Sequence, residues 1–156
     1  MKLDQAGYNL IAKFEGISLK PYLCSAKRPT IGFGSTFYED GNAVTMSDAP
    51  ITMAKALTML KAIADKFAKD VEKLVVPEVN QNQFNALVSF AYNVGSDIDN
   101  DLVPEGLGDS TLLKKVNKDP NDPSIRAEFL KWNKAGGKLI KGLTRRRHEE
   151  ADIYFS

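Results

Sequence analysis

From Met53 onward, Leu57, Leu60, Ile63, Phe67, Val71 and Leu74 follow one another every three or four residues, the spacing that returns side chains to one face of an α-helix. Thr52 is placed to cap the start of that helix, and Pro77 ends it, because proline has no backbone N–H to donate. At a rise of about 1.5 Å per residue the helix would be about 33 Å long, enough to join two lobes.

The chain changes character on either side of this segment. Leu3, Tyr8, Ile11 and Phe14 share a helical apolar face that stops at Glu15-Gly16, since glycine readily takes the left-handed conformation that closes helices. Pro21 to Cys24 reads as a short extended segment, Lys27-Arg28-Pro29 as a turn, and Thr30 to Thr36 as a glycine-bearing strand. The hairpin region runs to about Met46, with Asp40-Gly41 as one of its turns. Downstream, Asn80 with Gln83 three positions on has the pattern of a capping box, and Phe84, Leu87, Val88 and Ala91 lie on one face before Gly95. Shorter helices are expected from Thr111 to Asn117 and from Ser124 to Lys134, with one more beginning at Thr144 or Arg145. The expected architecture is α+β, a single domain over residues 1–156. Its small lobe, about 15–52, carries the β-hairpin; its helical lobe, about 53–156, takes in the N-terminal helix as well. A chain of 156 residues with 43% apolar content can bury one sizeable core without disulfides or metal.

Several function classes are excluded by composition. Cys24 is the only cysteine and His148 the only histidine, so there is no internal disulfide and no metal-ligand set. A Cys24–His148 nucleophile pair is disfavoured by their separation in sequence, and Gly32-Phe33-Gly34 is too short for a phosphate loop. Met1-Lys2-Leu3-Asp4-Gln5 lacks the apolar core of a signal peptide, and no run of about 18 apolar residues marks a membrane segment. A cytoplasmic protein is expected. A net charge of +1 argues against a general nucleic-acid binder. The charge is nevertheless uneven, with eight basic and three acidic residues from Arg126 to Glu150. Within that stretch Arg146 and Arg147 are expected on the surface. From Ser96 to Asp109 the chain carries Asp97, Asp99, Asp101, Glu105 and Asp109 and no base, which reads as a solvated loop. Its spacing does not match a helix-loop-helix calcium site.

Chemistry-bearing residues gather between Glu15 and Gly34. A carboxyl at a helix C-terminus sits at the negative end of the helix dipole, a position that favours the proton-bearing form a general acid needs. A hairpin following that helix end can bring Glu15, Cys24 and Thr30 around one site, with Gly32 and Gly34 leaving the backbone open to close approach.

Glu15, then Cys24 nine residues on and Thr30 six further, stand within Phe14-Glu15-Gly16, Tyr22-Leu23-Cys24 and Thr30-Ile31-Gly32-Phe33-Gly34. This pattern resembles the phage-type lysozymes, the endolysins of glycoside hydrolase family 24. Further matching strings begin at Asn80, Tyr92, Trp132 and Gly142, so the resemblance covers nearly the whole chain. It implies a lysozyme-like fold, no cofactor, and hydrolysis of the β-1,4 bond between N-acetylmuramic acid and N-acetylglucosamine in bacterial peptidoglycan. It also implies a monomer kept in the host cytoplasm until a separate holin opens the way to the wall. Carried over by position, Glu15 is the proton donor, Cys24 stands where the family most often has aspartate, Thr30 places the attacking water, and Arg145 pairs with the acid. Cys24 serves either as thiolate base or nucleophile, activated by a cation such as Lys27 or Arg28, or only as a holder of water. Asn93, Ser110 and Thr111 are candidates to bind the sugar, each with a plain helix-capping explanation, while Trp132 is expected in the core. A non-catalytic peptidoglycan-binding protein and a lytic transglycosylase are the alternatives.

Overall fold

Asp4 sets the first helix. Its carboxylate accepts from the Gly7 N–H at 2.9 Å and from Asn85 Nδ2 at 2.7 Å, so one side chain caps the helix and ties it to a later one. Helix α1 (Gln5–Phe14) follows. It closes where the Glu15 N–H reaches the Ile11 carbonyl at 3.2 Å and Gly16 turns to a φ of +44°. The computed structural model describes every residue except 100, 102 and 104.

Strands β1 (Ser18–Leu23) and β2 (Pro29–Gly32) form an antiparallel hairpin with Tyr22 opposite Thr30 and Ser18 opposite Gly32, and a register irregularity between them. The single strand expected from Thr30 to Thr36 does not occur. The chain turns back after Gly32, where Ile31 and Ser35 exchange both backbone hydrogen bonds at 2.9 and 3.0 Å. Gly32 and Gly34 make this possible with φ values of +67° and +81°, a region that strains other residues. The turn at Asp40-Gly41 is present, with the Gly41 N–H on the Tyr38 carbonyl at 3.0 Å. Ile31, Val44 and Met59 form a core here, flanked by Tyr38 and Ile51.

Helix α2 (Met53–Leu74) is the long helix anticipated from its spacing, and Thr52 Oγ1 caps it by accepting from the Lys55 N–H at 3.1 Å. Its buried stripe is offset from the large apolar residues at the start. Ala56, Met59, Leu60, Ala64, Ala68 and Val71 are buried, while Met53 and Leu57 are 48% and 40% exposed. Small alanines let neighbouring segments approach closely, which a stripe drawn through the largest side chains misses.

Helix α3 (Gln81–Val94) begins with the full capping box. Asn80 Oδ1 accepts from the Gln83 N–H at 2.8 Å, and Gln83 Oε1 accepts from the Asn80 N–H at 2.9 Å. Every residue from Gln83 to Ala91 is buried, so this helix is enclosed on all sides. Helices α4 (Thr111–Lys118), α5 (Ile125–Leu130) and α6 (Lys141–Tyr154) complete the chain. Helix α5 ends at Leu130 rather than Lys134. The residues beyond form a small hairpin that the sequence reading missed, β3 (Lys134–Ala135) and β4 (Lys138–Leu139). Its turn is Gly136-Gly137, with φ values of +57° and +77°. Helix α6 starts at Lys141, ahead of the expected Thr144 or Arg145. Phe90 stands edge-on to Phe129 and Trp132 at 5.6 and 5.5 Å. Trp132 thus packs on the core, as expected.

The backbone divides into two compact units, one of Tyr8–Lys66 and one of Met1–Gly7 with Phe67–Ser156. Gly7 tests the packing of the second. Alanine gains about 1 kcal/mol over glycine in a helix, yet a Cβ at Gly7 would lie 2.5 Å from Leu3 Cδ2 and 2.7 Å from Asn85 Oδ1. The Asn85 amide is held by Asp4 and by Gln81 Nε2 at 2.9 Å, so it cannot swing away. Gly7→Ala should therefore destabilise by about 1–3 kcal/mol, read as a lower urea midpoint at unchanged slope.

Candidate active site

Glu15, Cys24, Thr30, Gly32 and Gly34 all fall in the Tyr8–Lys66 unit. Glu15 is half-buried just past the end of α1. The bare face of Gly34 looks toward it, since a Cβ there would sit 3.8 Å from Glu15 Oε2. Gly32 faces another way. Its Cβ would meet Ala56 and Ile51 at 3.6 Å, so its role is to turn the chain and pack against α2.

Cys24 closes the β1–β2 hairpin loop. Its N–H donates to the Arg28 carbonyl at 3.0 Å, and its carbonyl accepts from the Lys27 N–H at 2.8 Å. Lys27 takes a φ of +57° to complete the loop. Thr30 is 2% exposed, and its hydroxyl donates to the Arg28 carbonyl at 2.9 Å. The Cys24 thiol is held below the ordinary thiol range by hydrogen bonds from the Arg28 main chain, then from the Thr30 hydroxyl, against a smaller desolvation effect. Of the two roles open to Cys24 in the sequence, the thiolate one needed a cation such as Lys27 or Arg28; the lowering comes from the loop's hydrogen bonds instead. Thr30 has a single hydroxyl proton, so donation to the Arg28 carbonyl and to the sulfur are alternatives.

The other expected residues lie in the second unit. Asn93 is exposed near the end of α3, and its Oδ1 accepts from Arg147 Nη2. Ser110 is 1% exposed and committed to capping: it accepts from the Leu113 N–H at 3.0 Å and donates to the Leu107 carbonyl at 2.7 Å. Thr111 is exposed at the first position of α4, and Arg145 is exposed on α6.

The surface placement expected for Arg146 and Arg147 is wrong. They are 3% and 0% exposed and share Glu150, itself fully buried. Arg146 Nε lies 3.0 Å from Glu150 Oε1, and Arg147 Nη1 lies 2.6 Å from Oε2. Ser89 Oγ adds a bond to Oε1 at 2.7 Å. Burial pushes the Glu150 carboxyl up, while Arg147 and then Arg146 pull it back. The signal was present in the sequence, because Arg146, Arg147 and Glu150 stand at the three- and four-residue spacings that meet on one helix face.

A profile of the phage lysozyme family matches residues 12–150. The chain belongs to that family. It is 40% identical over 158 residues to an endolysin of Bacillus phage B103, an alignment taking in 100% of this chain and 55% of the relative. The chain thus spans about half the length of the Bacillus phage endolysins it matches, 55% and 56%. Among solved structures it is similar to an endolysin from Escherichia coli O157:H7 phage FAHEc1, with a TM-score of 0.85 and 36% identity, covering 99% of this chain and 93% of that one. It is also similar to the muramidase domain of SpmX from Asticaccaulis excentricus, with a TM-score of 0.80 and 26% identity over 99% and 98% of the two chains. The lysozyme-like α+β fold read from the sequence is the fold observed.

The acidic stretch expected as a solvated loop gathers around one carboxylate. Asp97 organises it, with Oδ2 accepting from the N–H groups of Glu105, Gly106 and Asp109 at 3.1, 3.2 and 3.3 Å. Among the described residues, Asp97, Asp99 and Asp109 each bring a carboxylate oxygen within 4.8 Å of the others. Such exposed acidic groupings commonly hold no ion.

Two outcomes test these features. Alkylation of Cys24 by iodoacetamide follows the thiolate, so its rate should reach half-maximum below the ordinary thiol value of about 8.5. Thr30→Val removes a donor that favours the thiolate and should move that midpoint upward. Glu150→Gln keeps the shape of the side chain but strips two buried guanidiniums of their counter-charge. It should cost about 3–5 kcal/mol in urea unfolding.

Proposed function

We propose that this chain hydrolyses the β-1,4 bond between N-acetylmuramic acid and N-acetylglucosamine of bacterial peptidoglycan, as an endolysin-type muramidase. The observation that carries the proposal is that Cys24 and Thr30 share the Arg28 carbonyl on one hairpin, in the same unit as a half-buried Glu15 that faces Gly34. Family membership and the endolysin relatives support it. Glu15 gives its proton to the leaving oxygen as the glycosidic bond breaks. Charge then develops on the sugar in an oxocarbenium-like state. Cys24, with Thr30 beside it, accepts from or activates the attacking water, the role an aspartate more often fills.

Lowering of the thiol favours this assignment, because the ionised sulfur is the form able to accept a proton. Asn93 is the polar residue of the second unit proposed to contact the substrate. The proposal extends to a monomer held in the host cytoplasm and admitted to the wall by a separate membrane-permeabilising protein. No helix among the described residues is long and apolar enough to cross a membrane.

Mass spectrometry of borohydride-reduced digestion products tests the reaction. The parent should yield reducing muramic ends, and Glu15→Gln should lose about 100-fold or more of the rate, as expected for removal of a general acid. Anhydro-sugar products would place the chain among the transglycosylases, and binding without cleavage would leave a wall-binding protein. Cys24→Ala should lose much of the activity while Cys24→Asp retains it. Full activity in Cys24→Ala would remove Cys24 from the mechanism.

A further inference from the structure

Helices α3 and α6 pack together, and the charge cluster between them reaches the surface at Asn93. Arg147 is fully buried, with Nη1 on Glu150 Oε2 at 2.6 Å and its guanidinium carbon 4.9 Å from the centre of the Phe90 ring. The remaining arm, Nη2, donates to the Asn93 side chain. A guanidinium has donors and no acceptor, so the amide atom facing it must be the oxygen. The NH₂ group is the part of Asn93 left for other partners.

Asn93 lines a cavity of about 340 Å³ with Val94, Lys131, Trp132, Lys134 and Leu143. Small ligands occupy cavities of this size. Trp132 stands edge-on to the same Phe90 ring at 5.5 Å and 84°, so one aromatic ring supports both Arg147 and the indole wall. Lys131 is committed to Glu128 at 2.9 Å. Lys134 is exposed, with no carboxylate partner among the described residues. With the amide oxygen of Asn93 held by Arg147, the polar side-chain groups on this wall are donors: the Asn93 NH₂, the Trp132 N–H and the lysine ammoniums.

The geometry points to Arg147 as a positioning residue that fixes the Asn93 amide, so that the cavity receives an acceptor-rich group of the wall polymer, a carboxylate or an amide carbonyl. This rests on the muramidase reading above. Without the guanidinium the amide is free to flip, and an acceptor then faces an acceptor. Ser89 and Glu150 hold the arginines from behind.

Asn93→Asp separates positioning from mere structure. The carboxylate keeps an oxygen for Arg147 and strengthens that bond, but it has no N–H to offer the cavity. Its melting temperature should be held or raised. Its KM for soluble peptidoglycan fragments should rise about tenfold, the equivalent of about 1.4 kcal/mol, with kcat within about twofold. Arg147→Lys should raise KM similarly, and the double variant should raise it no further. An unchanged KM in Asn93→Asp overturns the inference, as do KM increases that multiply in the double variant. A second readout is the Asn93 side-chain NH₂ resonance of the parent, titrated with N-acetylmuramoyl dipeptide. It should shift in the parent and not in Arg147→Lys. If the parent cleaves no glycan but this resonance shifts, the muramidase reading fails and the positioning role stands; if it cleaves and the resonance is unmoved, the positioning role fails.

Discussion

Glu150 holds helix α6 against helix α3. A carboxylate with no exposed surface is costly unless its charge is met, and here two guanidiniums and a serine hydroxyl meet it. Each guanidinium then has further work: Arg146 reaches the Ser89 carbonyl at 3.1 Å, and Arg147 reaches Asn93. The cluster therefore sets the register of α6, seats the aromatic group around Phe90, and carries order outward to a surface amide. An apolar replacement would pack the same volume but could not aim Asn93.

The chemistry proposed for the first unit depends on a smaller device. In the hairpin loop from Cys24 to Arg28, the Cys24 N–H and the Thr30 hydroxyl both donate to the Arg28 carbonyl, and hydrogen bonding around the sulfur lowers the thiol. A thiol is a weaker acceptor than a carboxylate when neutral, so a cysteine in this place depends on its loop for ionisation. Donors rather than cations supply that help, and they act at short range with little sensitivity to salt. Thr30 is buried beneath the loop and has one proton to give.

Much of the architecture was legible in local patterns. Asn80 and Gln83 announced the start of α3, Gly16 the end of α1, and Asp40-Gly41 a turn, because each depends on the conformational preferences of a few adjacent residues. Periodicity announced α2 but misplaced its buried stripe, since burial at Ala56 and Ala64 is decided by how closely another segment approaches. The strand expected through Thr36 failed at Gly32-Phe33-Gly34. Those glycines supply positive φ for a reversal, and the sequence pattern alone also suited a strand open to close approach. The β3–β4 hairpin was overlooked because a two-residue turn between two-residue strands leaves almost no alternation to detect.

By itself the sequence determined the family pattern and the helix boundaries set by caps and glycines, and it singled out Glu15, Cys24 and Thr30 as candidates, because these rest on residue identity at short spacing. Tertiary structure decided which charges are buried and what they face. Arg145, Arg146 and Arg147 are identical in kind and adjacent in sequence, yet one is exposed and two are enclosed. The difference is the helical phase of α6 against α3, and a burial partner such as Ser89, far away in the chain, exists only once those helices have packed.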